Sequence, residues 1–265
     1  MSFNKRAIEM FGEENKAMTM ESSWAGIDEQ QGKLQTYLDF QVVKRWVLDR
    51  AKLDSSEICV LDVGAGKGRM TRCFASNCSH VVSIEPFTCF YECLEKVEGN
   101  FPNVEVYNTT LFEYADNNWD KGKFDLIYAS GVTPYFDDSE LDVFFKKAKD
   151  MLSCTGYLIV RELGSAGKTI CSSRQINRSR EHMINAAGRY RLDCVGWACA
   201  YPMFLFNWLR KRHPNAVTDN LRRASLQPVF YPLWDMFARL NIPTRWKIPR
   251  GQTKDYYVYL FKNLS

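Results

Sequence analysis

The sequence predicts an α/β fold in which a mostly parallel, seven-stranded sheet carries helices on both faces. Seven short segments rich in β-branched and aromatic residues have the composition of strands. The first five alternate with segments of helical length, the pattern of right-handed β-α-β crossovers. A chain of 265 residues suits one such domain with insertions.

The predicted strands occupy residues 58–63, 80–85, 104–107, 124–130, 157–162, about 190–197 and 256–261. Apolar residues at helical spacing predict helices over about 33–51, 69–77, 87–98 and 179–187, and a further helix that begins after Asp137 and ends at Thr155-Gly156. Asp137 with Glu140 three residues later is a capping-box pattern. Residues 164–177 are predicted to form a polar loop.

The chain as a whole favours a soluble cytoplasmic protein. It starts with polar and charged residues, lacks a run of about 18 apolar residues, and carries a formal net charge of +4. Its nine cysteines form no C-x-x-C pair and its three histidines form no cluster, so reduced thiols and no metal site are expected.

The stretch from Ile58 to Thr71 is the most informative motif. A buried strand ends in Asp62, and glycines at 64, 66 and 68 then allow a sharp turn into a helix. A dinucleotide site would show G-x-G-x-x-G, but this loop is G-x-G-x-G with an acid two residues before it. Glu85, at the end of the second strand, is placed to accept both hydroxyls of a ribose. The predicted ligand is therefore a nucleoside that carries an amino acid.

With these motifs, the sequence resembles the class I S-adenosylmethionine-dependent methyltransferases over roughly residues 55–198 and the last strand. The resemblance implies a Rossmann-like sheet with an antiparallel last strand. The implied cofactor is S-adenosyl-L-methionine, with S-adenosyl-L-homocysteine as product and no metal. Arg69 is the candidate that grips the cofactor carboxylate. The cofactor-binding residues expected on this basis are Asp62, Gly64, Ala65, Gly66, Gly68, Arg69, Glu85, Pro86, Thr110, Leu111, Ala129 and Ser130.

One position departs from that family pattern. Many members have an aspartate after the third strand that accepts from the adenine amino group, and Thr110 stands there in this chain. Either Thr110 makes a weaker contact or Asn108 substitutes for it. Leu111 and Phe112 are expected to supply a backbone N–H group and an apolar wall, and Phe87 either packs on the adenine or belongs to the core.

The acceptor side is less defined. Tyr135, Glu162 and His182 are the candidate catalytic groups, because an amine or hydroxyl acceptor must lose a proton during methyl transfer. Candidate acceptor contacts are Trp24, Tyr37, Tyr135 and Arg161. The segment Ala129–Phe136 lacks the Asn/Asp-Pro-Pro-aromatic box of exocyclic-amine methyltransferases that act on DNA and RNA. We therefore expect a small-molecule acceptor and no nucleic acid.

The predicted organisation is one methyltransferase domain, residues 1–265. It comprises an N-terminal helical lid (1–52), a cofactor-binding core (53–199), a basic aromatic insertion (200–252) and the last strand (253–265). Residues 200–250 hold nine basic and two acidic residues together with nine aromatics. This segment is interpreted as an acceptor lid, with an aromatic-packed cap or a peripheral contact to an anionic surface as alternatives.

The predicted function is transfer of a methyl group to an N or O atom of a small molecule, such as a sugar, an amine or an anionic biosynthetic intermediate. Two alternatives remain. Gly-Ala-Gly-x-Gly-Arg resembles the loop of methyltransferases that modify protein N-termini or side chains. The second alternative is a non-catalytic subunit that keeps the cofactor site. The oligomeric state is not predicted.

Overall fold

The computed structural model describes residues 57–117, 123–165, 169–172, 175–201 and 254–264, together with seven residues between 36 and 47. Two predicted acceptor contacts, Trp24 and Tyr37, lie outside the described residues. Most of the predicted lid, residues 202–252 of the predicted insertion and residue 253 of the predicted last strand also lie outside them.

Strands and helices alternate through the first part of the described chain. The strands are β1 (Cys59–Val63), β2 (His80–Ile84), β3 (Val104–Tyr107), β4 (Phe124–Ser130), β5 (Leu152–Ser165), β6 (Ile170–Cys171), β7 (Ile176–Asn177), β8 (Leu192–Tyr201) and β9 (Lys254–Asn263). The helices are α1 (Arg69–Ala75), α2 (Thr88–Glu98), α3 (Leu111–Asn117), α4 (Asp138–Met151) and α5 (Arg180–Gly188), with a 3-10 turn at Thr133–Tyr135.

Seven of these strands form one sheet in the order β3-β2-β1-β4-β5-β9-β8. Strands β1 to β5 pair in parallel, whereas β9 runs antiparallel to both β5 and β8. The predicted seven-stranded, mostly parallel sheet with a reversed last strand is therefore confirmed. Because chain order reverses between β1 and β4, the carboxyl ends of these strands flank a crevice of the kind that holds ligands in open α/β sheets.

Each face of the sheet is covered by its own hydrophobic core. On one face, α3, α4 and α5 pack against the sheet through buried residues such as Tyr114, Phe144 and Met183. On the other face, α1 packs together with the N-terminal helical segment, by which we mean the described helical residues between 36 and 47. Val43 and Val47 of that segment are fully buried. The described apolar residues of this segment thus pack on the sheet.

The prediction that Thr155-Gly156 ends a helix was wrong. Helix α4 ends at Met151, and β5 begins at once at Leu152. A Cβ atom on Gly156 would lie 2.9 Å from the carbonyl oxygen of Phe124, so the glycine allows β5 to approach β4 closely where their register shifts. The predicted loop at 164–177 also contains β6 and β7, which pair antiparallel.

Helices α4 and α5 begin at well-formed caps. Asp137 and Glu140 form the predicted capping box at α4, with the Asp137 N–H donating to Glu140 Oε2 over 2.8 Å and the Glu140 N–H to Asp137 Oδ1 over 2.9 Å. At α5, Ser179 Oγ accepts from the backbone N–H of His182. Within the described ranges, every helix is too short or too polar to cross a membrane.

Candidate functional site

The glycine loop turns the chain from β1 into α1 with three left-handed residues. Gly64, Gly66 and Gly68 have φ angles of 64°, 58° and 83°, which residues with a Cβ adopt only at a cost. The N–H groups of Gly64 and Ala65 donate to the carbonyl oxygen of Ile84 over 2.9 and 3.1 Å. The loop is therefore fixed against the end of β2.

Glu85, the residue after β2, directs its carboxylate at this loop. Its Oε2 accepts from the Gly66 N–H over 2.8 Å, and its Oε1 accepts from the Phe87 N–H over 3.0 Å. The side chain is buried. Burial raises the pKa of Glu85 to about 7 against the lowering effect of these two N–H groups. Each carboxylate oxygen has two lone pairs, so both retain capacity to accept from a ligand hydroxyl.

Asp62, at the end of β1, is the second buried carboxylate of the site. Its Oδ2 accepts from Thr71 Oγ1 over 2.8 Å, and Thr71 Oγ1 in turn accepts from Ser83 Oγ over 3.1 Å. This chain of hydrogen bonds links β1, α1 and β2 below the loop. Burial raises the pKa of Asp62 to about 6, while Thr71 and the charge of Arg69 lower it.

A pocket opens above these groups at the carboxyl ends of β1, β2 and β4. Its walls combine the two carboxylates with loop backbone and with apolar and aromatic side chains. The described lining residues are Asp62, Val63, Gly64, Ala65, Gly66, Lys67, Arg69, Met70, Ile84, Glu85, Pro86, Phe87, Phe90, Thr109, Thr110, Leu111, Phe112, Tyr128, Ser130, Gly131, Val132, Tyr135 and Phe136.

Ten of the twelve predicted cofactor residues line this pocket, and two do not. Gly68 instead packs under the loop, where an added Cβ would lie 2.8 Å from Val97 Cγ2. Ala129 is buried in the core beneath the sheet end. The family resemblance placed both in the site, Gly68 with the glycine loop and Ala129 with the end of β4, but their side-chain positions face the protein interior.

Arg69 lines the pocket but its guanidinium is engaged by the N-terminal helical segment. Its Nη1 donates to Thr36 Oγ1 over 3.2 Å, and its Nη2 lies 3.0 Å from Asp39 Oδ2. The other carboxylate oxygen of Asp39 lies 2.6 Å from Nε of Arg161, whose Nη1 donates to Ser130 Oγ over 3.1 Å. All three charged side chains are buried, so two guanidinium groups share one carboxylate beside the pocket.

Thr110 lines the pocket and also caps the N-terminus of α3. Its Oγ1 accepts from the Glu113 N–H, and its own N–H donates to Glu113 Oε2, both over 3.2 Å. This is a capping box that the pattern Thr110-x-x-Glu113 could have revealed. Asn108 donates to the carbonyl oxygen of Glu85 over 2.8 Å, which fixes the segment after β3 against the end of β2.

Residues 131–136, which we call the wall segment, close the pocket on the side of β4. Tyr135 lies in its 3-10 turn, lines the pocket and is buried. Arg178 holds this turn from behind, donating from Nη1 to the Thr133 carbonyl oxygen over 2.9 Å and from Nη2 to that of Phe136 over 2.8 Å. Sequence reasoning did not assign a role to Arg178, although Arg178 is fully buried.

The other predicted acceptor-side residues lie away from the pocket lining. Arg161 points to the face that carries the N-terminal helical segment, as its contact with Asp39 shows. Glu162 is 1% exposed, and burial raises its pKa to about 8. His182 is half-buried on α5, with Nε2 3.4 Å from Asp138 Oδ1. Of the three predicted catalytic groups, the structure therefore brings only Tyr135 to the described pocket wall.

Comparison with known proteins agrees with the fold and the loop. Residues 60–156 match the family model described as a methyltransferase domain. Phosphoethanolamine N-methyltransferase 3 of Arabidopsis thaliana is 26% identical over 103 residues, which are 39% of this chain and 21% of that protein. The chain thus spans about a fifth of the length of this curated relative.

Solved structures extend the similarity in fold. A SAM-dependent methyltransferase from Leishmania major superposes with a TM-score of 0.62 at 15% identity, covering 98% of this chain and 83% of that one. Geranyl diphosphate C-methyltransferase from Streptomyces coelicolor, in complex with Mg2+, geranyl-S-thiolodiphosphate and S-adenosyl-L-homocysteine, gives 0.60 at 12% identity, covering 93% and 84%.

The family match begins within β1 and ends within β5, so it contains the glycine loop, Asp62 and Glu85. The seven strands and the single reversed strand are those expected from the sequence resemblance. Taken together, residues 60–156 match a methyltransferase domain, and the sheet shows that the described chain has the Rossmann-like fold of the similar methyltransferase structures.

Proposed function

We propose that this chain transfers a methyl group from S-adenosyl-L-methionine to an N or O atom of a small-molecule acceptor. The observation that carries the proposal is Glu85. Its buried carboxylate lines the pocket, and the N–H groups of Gly66 and Phe87 fix its orientation. Two adjacent carboxylate oxygens match the two adjacent hydroxyls of a ribose, and the glycine loop leaves space for close approach of a ligand.

The residues around the pocket fit the remaining parts of this cofactor. Phe87 and Leu111 provide apolar walls for an adenine ring. Gly64 and Gly66 would border the methionine part. Arg69 would take the cofactor carboxylate, in addition to or in exchange for its contact with Asp39. A planar guanidinium and a carboxylate form strong, oriented hydrogen bonds, and a second arginine beside Asp39 favours an additional anion.

The cofactor, when bound, supplies an activated methyl group on a sulfonium. The chain then has to align the acceptor and exclude water. In well-oriented reactions such alignment lowers the activation free energy by about 7–11 kcal/mol. We assign acceptor contact at the wall to Tyr135, because Tyr135 is the predicted catalytic residue that lines the pocket. Glu162 and His182 are then candidates to act from behind the wall segment rather than at the reacting atoms.

The names of the similar proteins support a small acceptor. The Arabidopsis thaliana relative is a phosphoethanolamine N-methyltransferase, and the Streptomyces coelicolor structure holds a geranyl diphosphate analogue. Both names denote small molecules that carry phosphate. A basic segment such as residues 200–250 suits an anionic acceptor of this kind. We keep a protein N-terminus as the second candidate, because Gly64-Ala65-Gly66-Lys67-Gly68-Arg69 resembles the loop of that class.

Calorimetric titration tests the cofactor part of the proposal. We expect micromolar-range binding of S-adenosylmethionine and of S-adenosylhomocysteine. Replacement of Glu85 by Ala removes the acceptor for two hydroxyl groups, and a hydrogen bond to a charged group contributes about 1.5–3 kcal/mol. We therefore expect Glu85→Ala to weaken binding at least tenfold, whereas Glu92→Ala, an exposed position on α2, leaves it unchanged.

Folded wild-type protein that binds neither compound would contradict the proposal, and an unchanged affinity of Glu85→Ala would remove the ribose assignment.

The acceptor class is tested by measuring S-adenosylhomocysteine formation with three sets of compounds: small amines, small phosphorylated alcohols, and peptides with a free N-terminus. Turnover confined to the peptides would replace the small-molecule proposal by the second candidate.

A further inference from the structure

Three buried side chains of the wall segment, β5 and β7 have polar atoms with no hydrogen-bond partner among the described residues. They are Thr133, Glu162 and Asn177, which we call the polar cluster. The atoms concerned are Thr133 Oγ1, both carboxylate oxygens of Glu162, and both amide atoms of Asn177. The three residues are 0–1% exposed. Buried polar groups in folded proteins are nearly always paired, so a group of five unpaired atoms requires an explanation.

The polar cluster adjoins the pocket. Thr133 belongs to the 3-10 turn of the wall segment, Glu162 to β5 and Asn177 to β7, and these three elements contact one another. At the pocket end of β5, the Gly131 N–H donates to the carbonyl oxygen of Arg161 over 2.8 Å. Glu162 therefore follows directly on the residue to which the wall segment is bonded. Gly131, Val132 and Tyr135 of the same wall segment line the described pocket.

The neighbouring arginine does not supply the missing donors. Arg178 directs its hydrogen bonds to the carbonyl oxygens of Thr133 and Phe136 and to the carboxylate of Asp138. Because Arg178 and Asp138 balance each other in charge, an ionised Glu162 would leave one negative charge in excess. His182 also contacts Asp138 and not Glu162 in the described structure.

The energetics favour a ligand with several N–H donors. An unsatisfied buried polar group costs about 1–3 kcal/mol, and a charged one costs more. Burial accordingly raises the pKa of Glu162 to about 8, against the opposing charge of Arg178. An ammonium group offers three N–H donors and one positive charge. Glu162, Thr133 Oγ1 and Asn177 Oδ1 offer three acceptors and one negative charge.

We propose that the polar cluster is a subsite that binds a protonated amino group of the methyl acceptor. The inference rests on the proposed function and deepens it, because it makes the acceptor an amine-bearing small molecule. The amino group enters from the pocket, past the wall segment. Glu162 neutralises its charge, and Thr133 and Asn177 fix its direction. These residues select the acceptor; they do not act on the transferred methyl group.

Solution NMR with ethylammonium chloride as the probe tests the subsite, in protein saturated with S-adenosylhomocysteine. The side-chain amide signals of Asn177, assigned with an Asn177→Ala variant, report directly on the cluster. We expect ethylammonium to shift these signals saturably, and ethanol, which carries no charge, to leave them in place at the same concentrations. Glu162→Gln keeps the shape of the side chain without its charge and should weaken ethylammonium binding at least tenfold.

Glu92→Gln is the matched control, since it removes the same charge from an exposed position on α2 and should bind the probe as the wild type does. The inference is overturned if ethylammonium causes no saturable shift, or if the Glu162→Gln and Glu92→Gln proteins bind it equally. If Glu162→Gln does not fold, Thr133→Val removes one acceptor at nearly constant volume, and a wild-type affinity of that variant overturns the inference as well. Failure of the wild type to bind S-adenosylhomocysteine would instead count against the proposed function.

Discussion

The glycine loop offers a matched pair of substitutions that differ in one contact. Gly64 and Gly66 both have positive φ angles, 64° and 58°. A Cβ atom on Gly64 would lie 2.6 Å from Val132 Cγ2, whereas a Cβ atom on Gly66 would meet nothing within 4 Å. The left-handed conformation costs an L-residue about 1–2 kcal/mol. Gly66→Ala should therefore lower the free energy of unfolding by about that amount.

Gly64→Ala should lower it further. The contact of 2.6 Å with Val132 is about 0.9–1.4 Å shorter than an ordinary carbon–carbon separation of about 3.5–4.0 Å, and forced overpacking typically adds about 1–3 kcal/mol. The expected total is about 2–5 kcal/mol. Val132→Ala removes the opposing methyl group, so in the Gly64→Ala background it should recover about 1–3 kcal/mol. In the wild-type and Gly66→Ala backgrounds it should only destabilise.

Urea unfolding of the three single and two double variants measures these differences, provided that the slope with denaturant stays constant. The double-mutant cycle isolates the contact between positions 64 and 132 from the effects of each substitution alone. Equal losses for Gly64→Ala and Gly66→Ala would refute the reasoning. So would a cost of Val132→Ala that is the same in every background, because the wall segment would then not touch the loop.

Two further predictions concern the buried charges. Asp39→Ala leaves Arg69 and Arg161 without their shared carboxylate, and loss of one partner of a buried pair costs about 3–5 kcal/mol of stability. The control Asp142→Ala removes an exposed contact to Arg189 and should cost less than about 1 kcal/mol in the same thermal or urea assay. Equal losses of stability in the two variants would contradict the burial argument. The cofactor-free protein should also lose stability as the pH rises, because burial raises the pKa of Glu162 to about 8 from an ordinary value of 4.5. Between these two values the folded state holds a proton that the unfolded state has released, so the slope is negative, at most about 1.4 kcal/mol per pH unit for this group. Urea midpoints across this range should fall less steeply for Glu162→Gln than for wild type, and parallel curves would contradict this assignment.

The sequence allowed the sheet and the loop to be predicted because their signals are local. Strand β4 has the predicted bounds, and Asp137 with Glu140 specifies the cap of helix α4 within four residues. Asp62 lies at the end of β1 and Glu85 follows directly on β2, so their convergence followed from parallel pairing of these two strands.

Contacts between distant parts of the chain could not be predicted from local sequence patterns. Arg69 meets Asp39 across 30 residues, and Arg178 meets the carbonyl oxygen of Thr133 across 45. No spacing rule connects these pairs, since they depend on how helices are placed on the sheet. The role of Gly156 also depends on a distant contact. A glycine after an amphipathic stretch favours a helix end, but here the lack of a Cβ atom allows two strands to approach closely.

The position of β9 in the sheet has a consequence for synthesis of the chain. β9 lies between β5 and β8, although residues 254–263 are translated long after both of those neighbours. At about 5–20 residues per second, β5 and β8 wait for several seconds with open edges. Such edges can pair with other nascent chains. Ribosome-associated chaperones that shield them would therefore govern the yield of native protein, and a truncation before residue 254 should aggregate rather than accumulate as a smaller folded core.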